Sequence, residues 1–198
     1  MSYSLIGRVA PEVVAPAFFN GSIVDSLSLR SYKERGKSLL LFFYPLDFTF
    51  VCPTELHAFQ EQLHLFRERE CEVVGCSVDS VYAHRAWWQL PKERGGIAGI
   101  SYPLLSDTTR SISRDYGVLA EDRGIAYRGL FFIDSQGIVR AQMIYELALG
   151  RSVEEALRLI DAWQFHEKHG EVCPANWKRG QKALQPTEEG VSDYLAQE

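Results

Sequence analysis

The chain has 198 residues, 46% hydrophobic and 24% charged, which suits one soluble globular domain with an appendage and a sizeable core. Its 21 basic and 26 acidic residues give a formal charge of −5, and the basic ones are scattered, which argues against nucleic acid as a partner. No run approaches the roughly 18 apolar residues of a membrane helix, and the N-terminus lacks a basic segment followed by an apolar one, so no membrane partner and a cytoplasmic location are expected.

In chain order, Ala17-Phe18-Phe19, Asn20-Gly21 and Ser22-Ile23-Val24 form a hairpin signal, because Asn-Gly supplies the left-handed residues of a two-residue turn. Leu27 to Arg35 reads as a connection with one helical turn. Leu39 to Phe43 has the length and flanks of a fully buried strand, and Leu56, Phe59, Leu63 and Phe66 then mark one face of a helix over 53–70. Between them lies Tyr44-Pro45-Leu46-Asp47-Phe48-Thr49-Phe50-Val51-Cys52-Pro53-Thr54-Glu55. Cys52 thus sits where strand passes to helix, beyond the carboxyl end of a central strand, where ligand crevices form in open α/β sheets. The free N–H groups at the helix start favour a thiolate there.

Residues 71–79 read as a second strand, completing a parallel crossover unit. Cys71 and Cys76 fall on it and read as small buried hydrophobes. Ser80 caps a helix carrying Val81, His84, Trp87 and Trp88, with Pro91 near its end. Residues 92–99 form a glycine-rich loop without the order of a phosphate cradle. Residues 103–106 are a short strand, and Asp107 is expected to cap a helix reaching Tyr116 and stopping at Gly117. Residues 128–134 and 138–145 form an antiparallel hairpin turned by Asp134-Ser-Gln-Gly137. Ser152-Val-Glu-Glu155 is a capping box for a helix ending near Gly170. These elements predict an α/β domain over 1–169 and an arm over 170–198 whose Cys173 is hard to explain as core.

The four cysteines, Cys52, Cys71, Cys76 and Cys173, are too few for a disulfide scaffold, contain no C-x-x-C pair and lack zinc-ligand spacing, so no metal or other cofactor is expected. A thiol of pKa near 8.5 is only about 3% ionised at pH 7, whereas one near ~6 is about 90% ionised. A cation would complete a nucleophilic site, and Arg128, at the start of a predicted strand in an otherwise apolar and glycine-rich context, is the best candidate.

Pro45-Leu-Asp-Phe-Thr49-Phe-Val-Cys52 closely resembles the P-x-x-x-T-x-x-C signature of the peroxiredoxins, and Gly170-Glu-Val-Cys173-Pro-Ala-Asn-Trp177 resembles the resolving segment of their typical two-cysteine group. The resemblance implies a thioredoxin-like fold with a central mixed sheet flanked by helices. It also implies a homodimer able to assemble into rings of five dimers, and a peroxide substrate. By position it makes Cys52 the peroxidatic thiol and Cys173 the resolving thiol of the opposite subunit, with Thr49, Pro45 and Arg128 completing the site. Glu55, Arg151 and Trp87 match supporting positions. A thioredoxin-like protein or a dedicated disulfide reductase is implied as electron donor. Two rivals stay open: a disulfide reductase, which would want a second thiol where Thr49 stands, and a non-enzymatic holdase or sensor. Gly95-Gly-Ile-Ala98 and Tyr194-Leu195 half-keep the motifs of the peroxide-sensitive subgroup, so Ala98 and Leu195 are expected to favour disulfide formation over further oxidation.

Overall fold

The computed structural model describes residues 4–196. Backbone contacts divide the chain into two compact units, Met1–Val153 and Glu154–Glu198, so the long helix beginning at Val153 goes with the C-terminal segment.

The first unit opens with the expected hairpin, β1 (Val14–Phe19) and β2 (Ser22–Ser28), with Phe19 opposite Ser22. Asn20 and Gly21 both take positive φ, at 49° and 80°, the geometry that matches a two-residue turn to strand twist. Then follow the single turn α1 (Arg30–Glu34) and β3 (Ser38–Phe43), whose six residues are all buried. The helix expected over 53–70 is two helices, α2 (Cys52–Glu61) and α3 (Leu63–Glu68). Gln62 leaves helical geometry at φ −104°, and its carbonyl accepts a three-residue turn bond from Leu65 N–H.

β4 (Cys71–Ser77), α4 (Val81–Trp88) and β5 (Leu104–Ser106) come next, and Ser80 caps α4 by accepting from Ala83 N–H. The helix expected to start at Asp107 is shorter, α5 (Ser111–Asp115). Asp107 still caps it, but across a turn: its carboxylate accepts from the N–H groups of Ile112 and Ser113, while Arg110 enters the helix at φ 62°. A small hairpin, β6 (Leu119–Ala120) with β7 (Ile125–Ala126), precedes β8 (Arg128–Ile133) and β9 (Val139–Tyr145).

The main sheet has the order β2-β1-β5-β4-β3-β8-β9. β3, β4 and β5 run parallel, and β8 and β9 continue the sheet antiparallel, as the crossover and hairpin patterns predicted. Strand alternation sends Leu39, Leu41 and Phe43 into a cluster with Tyr32, Ile112, Tyr116 and Phe131 beneath α1 and α5. On the opposite face Phe42 stacks on Phe59 of α2 at 4.5 Å between ring centroids. Helices therefore flank both faces, and the central strands are near-continuous apolar runs because both sides are covered.

The second unit contains most of α6 (Val153–His169), a single bridge between Val172 and Leu184, and α7 (Glu188–Leu195). The last helix was not legible as periodicity, yet Thr187 caps it by accepting from Gly190 N–H and two glutamates occupy its first turn. Trp177 is fully buried against Phe165, so the segment has a small core of its own.

Candidate active site

β3 delivers the chain to Tyr44, and the loop from Pro45 to Val51 carries it into α2, whose first residue is Cys52. Pro53 suits the first turn because that turn has no use for its missing N–H. Cys52 is completely buried, and Arg128 Nη1, reaching across from the first residue of β8, lies 3.4 Å from its sulfur. The same nitrogen donates to Glu55 Oε2 at 2.7 Å, while Arg128 Nε donates to the Leu147 carbonyl at 2.7 Å.

Glu55, on the first turn of α2, is shared by two arginines. Arg151 donates Nε to Oε1 at 2.7 Å and Nη2 to Oε2 at 2.8 Å, and its backbone N–H adds a bond to Oε1 at 2.9 Å. Its remaining Nη1 donates to the carbonyls of Phe43 and Gly129, tying the arginine to the carboxyl end of β3 and to β8. Arg128, Arg151 and Glu55 are all buried. Two guanidiniums against one carboxylate leave one positive charge in a region where an uncompensated charge is costly. That charge lies beside the Cys52 sulfur, which also sits at the positive N-terminal end of α2.

Pro45 is buried, and Thr49 is half-buried with its hydroxyl donating to the Leu46 carbonyl at 2.8 Å. Trp87 is fully buried, donates to the Gly95 carbonyl at 2.8 Å, and packs its ring near Tyr44 and Phe48. Arg128, Glu55, Arg151, Cys52, Pro45, Thr49 and Trp87 therefore belong to one unit. Cys173 lies in the second, where its thiol is 3.5 Å from the Ala162 carbonyl. Burial raises that thiol above its ordinary value, with Arg158 opposing and Glu171 adding to the rise.

All four cysteines are free thiols. Burial pushes Cys71 up to about 12 and Cys76 well above its ordinary value, which fits both as inert core residues. Among the described residues no group of three His, Cys, Asp or Glu side chains could hold a metal ion.

A buried network under the loop was not read from the sequence. Asp47 accepts from Tyr44 Oη at 2.9 Å and meets His84 Nδ1 at 2.7 Å, and the side chains of Asp47 and His84 are both wholly inaccessible. The available signal was His84 itself, a polar residue on the inward face of α4 alongside Val81 and Trp87.

Fold and site together define a thioredoxin-like α/β protein with a buried cysteine at a strand-to-helix junction, set against an arginine–glutamate network. Residues 6–142 match the AhpC/TSA family, and residues 162–197 match the C-terminal domain of 1-Cys peroxiredoxin, a stretch that here carries Cys173. The chain is 49% identical over 193 residues to the thioredoxin peroxidase of Echinococcus granulosus, covering 98% of each. It is likewise 49% identical over 191 residues to peroxiredoxin-2 of Mus musculus, covering 96% of this chain and 95% of that one. The solved structure of the reduced 2-Cys peroxiredoxin of Plasmodium vivax superposes with a TM-score of 0.92 at 48% identity, covering 98% of this chain and 99% of that one. The chain belongs to the peroxiredoxin family and is a thiol-dependent peroxidase.

Proposed function

We propose that Cys52 is the peroxidatic thiol of a two-cysteine cycle completed by Cys173 of a second copy of the chain. The observation that carries this reading is the 3.4 Å approach of Arg128 to the Cys52 sulfur. The thiolate attacks the terminal oxygen of a hydroperoxide. The O–O bond breaks, the sulfur becomes a sulfenic acid, and the other oxygen leaves, with a proton, as alcohol or water. Arg128 stabilises charge on the leaving oxygen, Thr49 orients the peroxide, and Pro45 keeps water from the sulfur.

The Cys173 thiolate then attacks the sulfenic sulfur, forming an intersubunit disulfide and releasing water. An external dithiol takes the two oxidising equivalents and restores both thiols. The relative from Echinococcus granulosus is called a thioredoxin peroxidase, which supports a thioredoxin-like donor; a dedicated flavoprotein reductase is the other donor class we carry forward. We place the protein in the cytoplasm as a homodimer able to form rings of five dimers.

Non-reducing electrophoresis after one equivalent of peroxide tests the cycle. A covalent dimer is expected for the native chain and none for Cys173→Ser; a dimer that persists in that variant refutes the assignment of Cys173. Cys52→Ser is expected to lose peroxidase activity altogether. Ala98 and Leu195 depart from the motifs of the peroxide-sensitive subgroup, and we read these departures as letting disulfide formation outrun over-oxidation. Mass spectrometry after millimolar peroxide should then show Cys52 mainly as disulfide, and a majority of sulfinic acid would contradict this.

A further inference from the structure

The network beneath the Pro45–Val51 loop is more elaborate than packing requires. Asp47 uses both carboxylate oxygens, Oδ1 on Tyr44 and Oδ2 on His84, and its backbone N–H donates to Asp79 Oδ2 at 2.9 Å. His84 in turn meets the Leu105 carbonyl through Nε2 at 3.2 Å, so both ring nitrogens face oxygen acceptors from separate elements. Asp79 is itself tied to Ser77 Oγ at 2.8 Å, and its carbonyl accepts from Ser106 Oγ at 2.6 Å. The turn at Leu46 and Asp47 is thereby fastened to the carboxyl ends of β4 and β5 and to α4. A fully satisfied buried polar network of this kind rigidifies its surroundings and specifies a unique geometry.

That geometry ends at Thr49. The Leu46 carbonyl, adjacent to the fastened Asp47, takes the Thr49 hydroxyl proton at 2.8 Å. With its only proton committed, the hydroxyl can meet a substrate solely as an acceptor, and its free lone pairs point where the Leu46 carbonyl fixes them. Phe48, between the two, is held at φ 56°, a conformation a large side chain adopts only when its surroundings impose it.

We propose that Asp47 and His84, with Tyr44, are a positioning set that holds the Leu46 carbonyl so that Thr49 accepts the O–H of a protonated hydroperoxide and aligns its terminal oxygen with Cys52. This rests on the roles proposed above for Cys52 and Thr49. It assigns function to a buried pair that touches neither the substrate nor the sulfur.

A double-mutant cycle tests it. In a Cys173→Ser background, stopped-flow fluorescence gives the second-order rate of Cys52 oxidation by hydrogen peroxide, and mass spectrometry gives the rate of Cys52 alkylation by iodoacetamide, which has no use for Thr49. Asp47→Asn is expected to lower the peroxide rate at least about tenfold, as misplacement of a positioned group does, while changing alkylation less than about twofold. Thr49→Val should lower the peroxide rate similarly, and adding Asp47→Asn to Thr49→Val should have little further effect. His84→Gln, which keeps a donor toward Asp47, should retain more activity than His84→Leu. Tyr44→Phe, which removes one bond and leaves the core filled, should show a smaller loss of the same pattern.

Multiplicative effects in the cycle overturn the proposal, as does a parallel fall in peroxide and alkylation rates or a Thr49→Val variant at full peroxide rate. Failure of the underlying reading shows separately, as peroxidase activity surviving in Cys52→Ser.

Discussion

Glu55 joins the two arginines, and its removal is the most informative single change at the site. Glu55→Gln preserves shape but leaves Arg128 and Arg151 buried without a counter-charge, which in general costs about 3–5 kcal/mol. It also frees Arg128 from the carboxylate that fixes its Nη1 beside the Cys52 sulfur. Denaturant unfolding should show a loss of that size, and the peroxide rate should fall at least about tenfold. Arg128→Lys separates the two effects. An ammonium cannot span the sulfur, Glu55 and the Leu147 carbonyl as a planar fork does, so the rate should fall with a smaller loss of stability. An Arg128→Lys variant with native peroxide reactivity would show that charge alone suffices at this position.

Between strand and helix, the elements that sequence pattern captured were those whose burial is continuous. β3 and β8 are runs of six buried residues, and the Asn20-Gly21 turn needs φ values that these residue types supply at least cost. Pro45, Thr49 and Cys52 could be named as candidates because the signature runs over one short stretch, and Arg128 because an arginine opening an apolar strand is conspicuous. What was missed has local physical reasons. The apolar spacing of Leu56, Phe59, Leu63 and Phe66 survives the one-residue break at Gln62, so periodicity could not detect it. β6 and β7 are two residues each, and α7 spans only about two turns, too short for either pattern to repeat. The Asp47–His84 pair joins residues 37 apart, a contact no local pattern encodes.

The glycine-rich loop after α4 illustrates the same scale. Its glycines serve the backbone: Gly95 and Gly99 take positive φ, at 74° and 91°, and a Cβ on Gly96 would lie 2.0 Å from the Leu90 carbonyl oxygen. The loop must therefore shift in Gly96→Ala, taking with it the Gly95 carbonyl that anchors Trp87 and the Gly96 carbonyl that meets His57 of α2 at 3.0 Å. The expected cost is about 2–3 kcal/mol, read as a lower midpoint in thermal unfolding, with altered near-ultraviolet dichroism from Trp87. Unchanged stability would mean that the loop tolerates the shift without cost.

Over the whole sheet domain, buried acids that stay protonated set a limit on alkaline stability. Burial pushes Cys71 and Tyr32 up to about 12, and raises Cys76, Tyr44, Tyr102 and Tyr116 as well. In the unfolded chain such thiols ionise near 9 and such phenols near 10. Between those values and the raised ones the unfolded state has lost protons that the folded state retains, so stability falls as pH rises. Each group contributes a slope of about 1 kcal/mol per pH unit within its window, beginning near pH 9 for Cys71 and near pH 10 for Tyr32. Thermal midpoints measured from pH 8 to 11 should therefore be level at first and then drop with increasing steepness. In Cys71→Ala the midpoint at pH 8 should be lower, because a cavity replaces the thiol, but the decline above pH 9 should be shallower by about one proton's worth. A native midpoint that stays level to pH 11, or a Cys71→Ala decline as steep as the native one, would show that these buried acids do not govern the alkaline limit.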